Sequence, residues 1–248
     1  MFTPPLALAS LSGEADADWA RAGSTYAGAA FLGGIAIDED ARAAARELVE
    51  RERTEFLPAD PIAFIDRQLA ALAAAPLRPA VNVRSATVEP VETAARVCRD
   101  HDALLEINAH CRQDELCAVG CGETLLQDDD RLRRYVERAA DTGATVGVKV
   151  RAEVPGVDLP ALARTLEAAG ASFVHVDAMD SESAVADVVD ATTLFVIANN
   201  GVRDDETVRE YVEYGADAVS VGRPSDDPVV LERVHEAVTR RLGHAANP

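Results

Sequence analysis

Strand-like and helix-like segments alternate along this chain almost from end to end, and few architectures can accommodate that order. Short runs rich in Val, Ile and Ala are expected as strands over residues 6–10, 29–37, 79–84, 103–109, 145–151, 172–178, 194–199 and 218–222. Helical patterns are expected over 38–54, 61–75, 88–102, 129–142, 158–169, 182–190, 204–214 and 228–242. Asp38-Glu39-Asp40 opens the first of these as an N-terminal cap region, and Gly215 stops the seventh. The strands are nearly continuous apolar runs, as expected where both faces of a parallel sheet are buried. Eight such units in 248 residues, with no Pro/Gly/Ser linker, predict a single α/β domain over 1–248. The expected form is a (β/α)8 barrel, the TIM-barrel architecture, and a doubly wound sheet is the structural alternative.

A barrel of this kind concentrates chemistry at strand C-termini and in the loops that follow them. The polar residues at those positions are Ser10, Asn82, Arg84, Asn108, His110, Cys111, Lys149, Arg151, His175, Asp177, Asn199, Asn200, Gly201, Gly222 and Arg223. Lys149 stands out because it is the chain's sole lysine; the other 23 of its 24 basic residues are arginine. Lysine offers a compact, titratable point charge that arginine does not. Its placement near the end of the fifth strand predicts a reactive centre there.

The chain carries 43 acidic residues and a net charge of −19, spread throughout its length. Such an excess serves either a basic partner or solvation in a salt-rich cytoplasm, where repulsion is screened within about 3 Å at 1 M salt. Near-absence of lysine favours the second, halophilic-type reading. Either way the protein exerts no overall pull on nucleic acid. No apolar run approaches the length of roughly 18 residues that a membrane-spanning helix needs, so no membrane association is expected. The start, Met1-Phe2-Thr3-Pro4-Pro5, lacks the basic region of a secretory signal. A cytoplasmic protein is expected, and a homo-oligomer is compatible with the sequence.

Three constellations carry chemistry. At the seventh and eighth strand ends, Asn199-Asn200-Gly201 and Gly222-Arg223 suit a phosphate site, because glycine lets backbone N–H groups approach a ligand and arginine supplies a fork of donors. The alternative is that both glycines only permit turns. Lys149 and His175 are expected on neighbouring strands at the barrel mouth, where a cation stabilises negative charge on a ring carbonyl or a reduced cofactor. Lys149 could instead form a Schiff base, and His175 could be a satisfied core histidine. After the fourth strand come His110, Cys111, Cys117 and Cys121. Cys111 suits a general acid or nucleophile tuned by Arg112 or His110. A metal site is the rival, although the spacing lacks the C-x2-C knuckle of zinc sites. Inert thiols are the third reading.

Taken in order, five segments resemble the dihydrouridine synthase family of flavin-binding barrels, and more distantly the dihydroorotate dehydrogenases. They are Asn108-Ala109-His110-Cys111-Arg112, Gly120 to Leu126, Val148-Lys149-Val150-Arg151, the strand-six His175, and Ala198-Asn199-Asn200-Gly201 with Gly222-Arg223. The resemblance covers roughly residues 104–224, about half the chain. It implies FMN at the barrel mouth, bound through Ser10, Asn82, Asn108, Lys149, His175, Asn199, Asn200, Gly201, Gly222 and Arg223. It also implies Cys111, Lys149 and His175 as catalytic residues, with Cys111 as proton donor in reduction of a C=C bond. NAD(P)H or another electron donor, and a small-molecule or nucleoside-type, pyrimidine-like substrate, follow from the same resemblance.

The sequence departs from the family pattern in four ways. His110 and Arg112 replace the Gly and Pro beside the cysteine. Asp177 stands where an arginine is usual, and an extra Asn interrupts Ala-Asn-Gly. The sequence ends after the eighth helix, without the C-terminal helical domain by which tRNA-modifying members hold RNA. A short, archaeal-type branch is therefore expected, with tRNA disfavoured as substrate. Two other functions stay open: a flavin-free lyase or aldolase acting on a phosphorylated substrate through Lys149, and a non-catalytic or metal-binding barrel.

Overall fold

The computed structural model describes residues 1–243. Eight parallel strands close on themselves in chain order, β1 to β8, with β8 pairing back to β1. The strands are β1 (Leu6–Leu8), β2 (Ala29–Ala36), β3 (Arg78–Arg84), β4 (Leu104–Asn108), β5 (Thr145–Arg151), β6 (Phe173–Asp177), β7 (Phe195–Asn199) and β8 (Ala218–Val221). Each lies within a residue or two of its expected span. The outer ring consists of α1 (Ala17–Gly23), α2 (Glu39–Glu50), α3 (Pro61–Ala71), α4 (Val88–Asp100), the short α5 (Asp114–Ala118) and α6 (Glu123–Leu126), α7 (Asp129–Ala140), α8 (Leu159–Ala168), α9 (Ala184–Ala191), α10 (Asp205–Glu213) and α11 (Pro228–Leu242). The doubly wound alternative is thereby excluded, since an open sheet would leave two edges. The sequence pattern missed α1, and the cysteine-bearing segment expected as a loop is broken by α5 and α6.

Aspartate sets where most of these helices begin. Asp16, Asp38, Asp60, Asp128, Asp158, Asp204 and Asp227 each accept a hydrogen bond from a backbone N–H in the first helical turn. Each cap satisfies an otherwise orphaned donor and places negative charge at the positive end of a helix dipole. Part of the acidic excess is thus structural rather than solvating.

Side chains on each strand alternate between the barrel interior and the helical layer. The outward set, including Leu105, Ile107, Val146, Val148, Val174, Val176, Val219 and Val221, belongs to the large core between barrel and helices. The inward set divides by height. At the N-terminal end Ala7, Ala29, Phe31, Ala80, Leu104, Phe173, Ile197 and Ala218 form a separate apolar plug with Phe2 beneath it. Gly147 makes room for that plug: a side chain there would collide with the ring of Phe173. Towards the C-terminal end the inward positions turn polar, and the candidate site begins there.

Candidate functional site

The polar layer starts directly above the plug, with the His175 ring 5.2 Å from that of Phe31. Inward positions on β3, β4, β6, β7 and β8 carry Asn82, Glu106, Asn108, His175, Asn199 and Ser220. Their side chains form one continuous chain of hydrogen bonds. The backbone N–H of Cys111 donates to Asn108 Oδ1 at 3.2 Å, and Asn108 Nδ2 donates to Asn82 Oδ1 at 2.8 Å. Asn82 Nδ2 donates to Glu106 Oε1 at 2.6 Å. Glu106 Oε2 lies 2.6 Å from His175 Nδ1, and His175 Nε2 lies 2.7 Å from Ser220 Oγ. Asn199 Nδ2 donates to the same hydroxyl at 2.8 Å. A buried network of this kind rigidifies a core when every member is satisfied.

The charges in the layer are ordered. Burial alone would raise the Glu106 carboxyl, but the His175 ring bonded to it, the Lys149 charge and the Asn82 hydrogen bond outweigh it and hold Glu106 below the usual carboxylate range. Burial pushes His175 down and the Lys149 charge pushes it further, against the opposing pull of Glu106, so the neutral ring is favoured. A neutral ring with Nδ1–H donating to Glu106 and Nε2 accepting from Ser220 satisfies every group.

Above this layer the barrel mouth opens into a cavity of about 880 Å³. Its walls include Ser10, His110, Cys111, Arg112, Lys149, Arg151, Asp177, Asn199, Asn200, Gly201, Ser220, Gly222 and Arg223. Lys149 pairs in register with Asn108 on one side and His175 on the other. It is 2% exposed and lines the cavity, and its ammonium makes no hydrogen bond or ion pair among the described residues. A buried ammonium without a partner is costly, so it marks a place where an anionic or strongly accepting group is held.

Cys111 is 6% exposed and sits on the cavity wall. Its loop is pinned twice: Asn108 Oδ1 takes the N–H, and the carbonyl accepts from Glu123 N at 2.8 Å. Gly122, at φ +58°, closes against that carbonyl, where a side chain would collide with it. Behind the thiol lies Arg84, buried with Glu55 at 2.7 Å and bonded to the Ser12 hydroxyl. Burial opposes the Arg84 charge, but the Glu55 carboxylate paired with it holds the guanidinium charged. His110 is pushed well below its ordinary value by burial and by the charges of Lys149, Arg84 and Arg151.

At the opposite wall, β7 and β8 present their ends together. Asn200 Nδ2 donates to the carbonyl of Met179 at 2.9 Å, and the Tyr211 hydroxyl lies 2.9 Å from the Asn200 carbonyl, fixing the turn. A side chain built at Gly201 or Gly222 would meet nothing within 4 Å, so both glycines leave the space in front of them open. Arg223 is exposed and forms no ion pair among the described residues.

Of the sequence-predicted residues, Ser10, Cys111, Lys149, Asn199, Asn200, Gly201, Gly222 and Arg223 line the cavity. Asn82, Asn108 and His175 are buried behind its floor, in the hydrogen-bonded layer. Among the described residues no group of three or more His, Cys, Asp or Glu side chains is placed to hold a metal ion. Sequence reasoning gave no role to Glu106, Ser220, Arg53 or Arg203. For Glu106 a signal existed: it stands two residues before Asn108 and so shares its inward face. No local pattern marks Arg53 or Arg203.

Comparison with known proteins gives three kinds of likeness. The family model for dihydrouridine synthase matches residues 37–247. The uncharacterized protein MJ0144 of Methanocaldococcus jannaschii is 25% identical over 227 residues, which is 87% of each chain. Among solved structures, a FabK variant from Thermotoga maritima superposes with a TM-score of 0.60 at 17% identity, covering 91% of this chain and 63% of that one. A tryptophan synthase complex from Pyrococcus furiosus gives a TM-score of 0.60 at 14% identity, covering 98% of this chain and 100% of that one. At such identities the two structural likenesses speak for the barrel alone. Among the described residues no helix is long and apolar enough to cross a membrane.

Proposed function

The chain belongs to the dihydrouridine synthase family, and from that premise we propose that it is an FMN-dependent oxidoreductase acting on a C=C bond of a pyrimidine-like ring. The observation that carries this reading is Lys149: a buried, unpartnered cation facing the cavity is what a flavin needs beside its ring. The residues present fit the cofactor. Gly201 and Gly222 leave open space for a phosphate, with Arg223, Asn199 and Asn200 at hand. When bound there, FMN would accept or donate a hydride.

The protein's own residues supply the rest. Lys149 neutralises negative charge that builds up at the cavity floor. Asn82, Asn108 and His175 act from behind, holding Lys149's neighbours and the Cys111 loop in place. Cys111 Sγ is the proton donor to substrate carbon, on the wall facing the β7–β8 end. Ser10 closes the wall beside β8. NAD(P)H or another donor would return electrons.

The visible spectrum of the purified protein tests this reading. A flavin absorbance in the isolated protein, or its appearance on titration with micromolar FMN, is the expected result. Protein that stays colourless and takes up no FMN would overturn it.

A further inference from the structure

The charge of the cavity runs against that of the molecule. The chain as a whole holds 43 acidic residues against 24 basic ones. The cavity walls hold six cations, Arg53, Arg112, Lys149, Arg151, Arg203 and Arg223, against a single carboxylate, Asp177. These cations arrive from segments after β2, β4, β7 and β8 and from β5 itself, so barrel closure alone brings them together.

They are not equally free. Arg151 is paired with Glu123, and Arg203 has Asp204 at 4.0 Å. Arg53 and Arg112 have no ion pair or side-chain hydrogen bond among the described residues, although most arginines of this acidic chain are paired. The acids next to them are committed elsewhere: Glu55 turns inward to Arg84, and Glu115 pairs with Arg51. That Arg51–Glu115 pair also ties the segment carrying Arg53 to the helix that follows Arg112. Two unpaired guanidinium groups thus stand on the side of the cavity opposite the β7–β8 end.

A flavin phosphate at the β7–β8 end leaves this pair unused. We infer that Arg53 and Arg112 form a second anion locus, which takes the phosphate of a small, nucleotide-type substrate. The inference rests on the flavin reading above for the assignment of the β7–β8 end. Guanidinium groups grip a phosphate with paired, charge-assisted hydrogen bonds, a chemistry that a neutral nucleoside or free base cannot use. The same charge pattern disfavours nucleic acid. Six cations gather at the cavity, while the chain as a whole carries a net charge of −19, which repels a polyanion.

The test is calorimetric titration of the FMN-treated protein with uridine monophosphate, uridine and a single-stranded oligouridylate at one ionic strength. Uridine monophosphate is expected to bind at least about tenfold more tightly than uridine, a preference that one charge-assisted contact supplies. Arg53→Gln and Arg112→Gln should each bring its affinity down towards that of uridine while flavin retention is unchanged. Equal binding of nucleotide and nucleoside would overturn the inference. So would unaltered nucleotide affinity in both variants, or an oligouridylate that binds more tightly than the mononucleotide. Flavin uptake is read separately from the visible spectrum. If no FMN binds, the proposed function fails, and the comparison of nucleotide with nucleoside on the flavin-free protein still decides the second locus.

Discussion

Glu106 Oε2 lies 2.6 Å from His175 Nδ1, and both side chains are fully buried inside the barrel. Neither residue reaches the cavity, yet the contact organises what does. It orients the imidazole so that Nε2 faces the hydroxyl of Ser220, a cavity-lining residue. Through Asn82 and Asn108 the same carboxylate is linked to the backbone of Cys111. Two opposite walls of the mouth are therefore held by one buried acid.

Replacing that acid should be expensive. In Glu106→Ala, Asn82 Nδ2 and the His175 Nδ1–H lose their acceptor and Lys149 loses its countercharge, so stability should fall by about 3–5 kcal/mol. Glu106→Gln keeps the shape and one acceptor, and the expected loss is about 1–3 kcal/mol. Urea unfolding midpoints measure both. A Glu106→Ala protein that unfolds with the native midpoint would show that the layer does not hold the barrel together.

Lys149→Met separates function from fold. The ammonium is buried without a hydrogen-bond partner, which an apolar chain of similar length relieves, but its charge also helps to keep Glu106 ionised, so the unfolding midpoint of flavin-free protein should change little. FMN affinity and turnover should both drop, turnover by roughly a hundredfold as for loss of one preorganised charge. Equal FMN affinity in the variant, read by flavin fluorescence, would count against Lys149 as the group beside the ring.

Gly222→Val probes the β7–β8 end. A β-carbon there meets no protein atom within 4 Å. The unfolding midpoint of the flavin-free variant is read alongside, so that a loss of flavin affinity is separated from a loss of fold. The added methyl groups would occupy the space assigned to a phosphate, so FMN affinity is expected to fall by tenfold or more. Riboflavin, which lacks the phosphate, should bind both proteins alike, and a variant that loses both flavins equally would relocate the phosphate.

Most of the barrel is legible in the sequence because each strand is an apolar run bounded by a capped helix, both local signals. α1 is not, since Ala17–Gly23 spans only seven residues and ends on glycine. The strand-end residues Lys149, Asn199 and Gly222 are likewise local, fixed by their place in a strand. What escapes the sequence is contact across the barrel. Nothing near Glu106 names His175, 69 residues away, as its partner. Arg84 and Glu55 meet across 29 residues in a buried pair that neither local pattern announces. Arg53 and Arg112 share a cavity only because the barrel closes.

The histidines at the site set a pH dependence whose sign follows from their burial. His110 is held well below its ordinary value by burial and by the charges of Lys149, Arg84 and Arg151, and His175 is lowered by burial and Lys149. Between the folded and unfolded values the unfolded chain binds protons that the folded one does not, so stability rises with pH there. The stabilisation is complete above about pH 6.5 and is lost as pH falls from there towards the folded values. Each histidine contributes at most about 1.4 kcal/mol per pH unit to that slope. His110→Gln should flatten the slope between pH 6.5 and 5 while leaving stability at pH 8 nearly unchanged, because the neutral ring at 3.6 Å from Asp177 makes no strong bond to lose. Lys149→Met should flatten it as well, by removing the charge that depresses both rings. Unfolding midpoints of the three proteins across that range are the measurement; an unchanged slope in His110→Gln would mean that the ring is solvated and titrates normally.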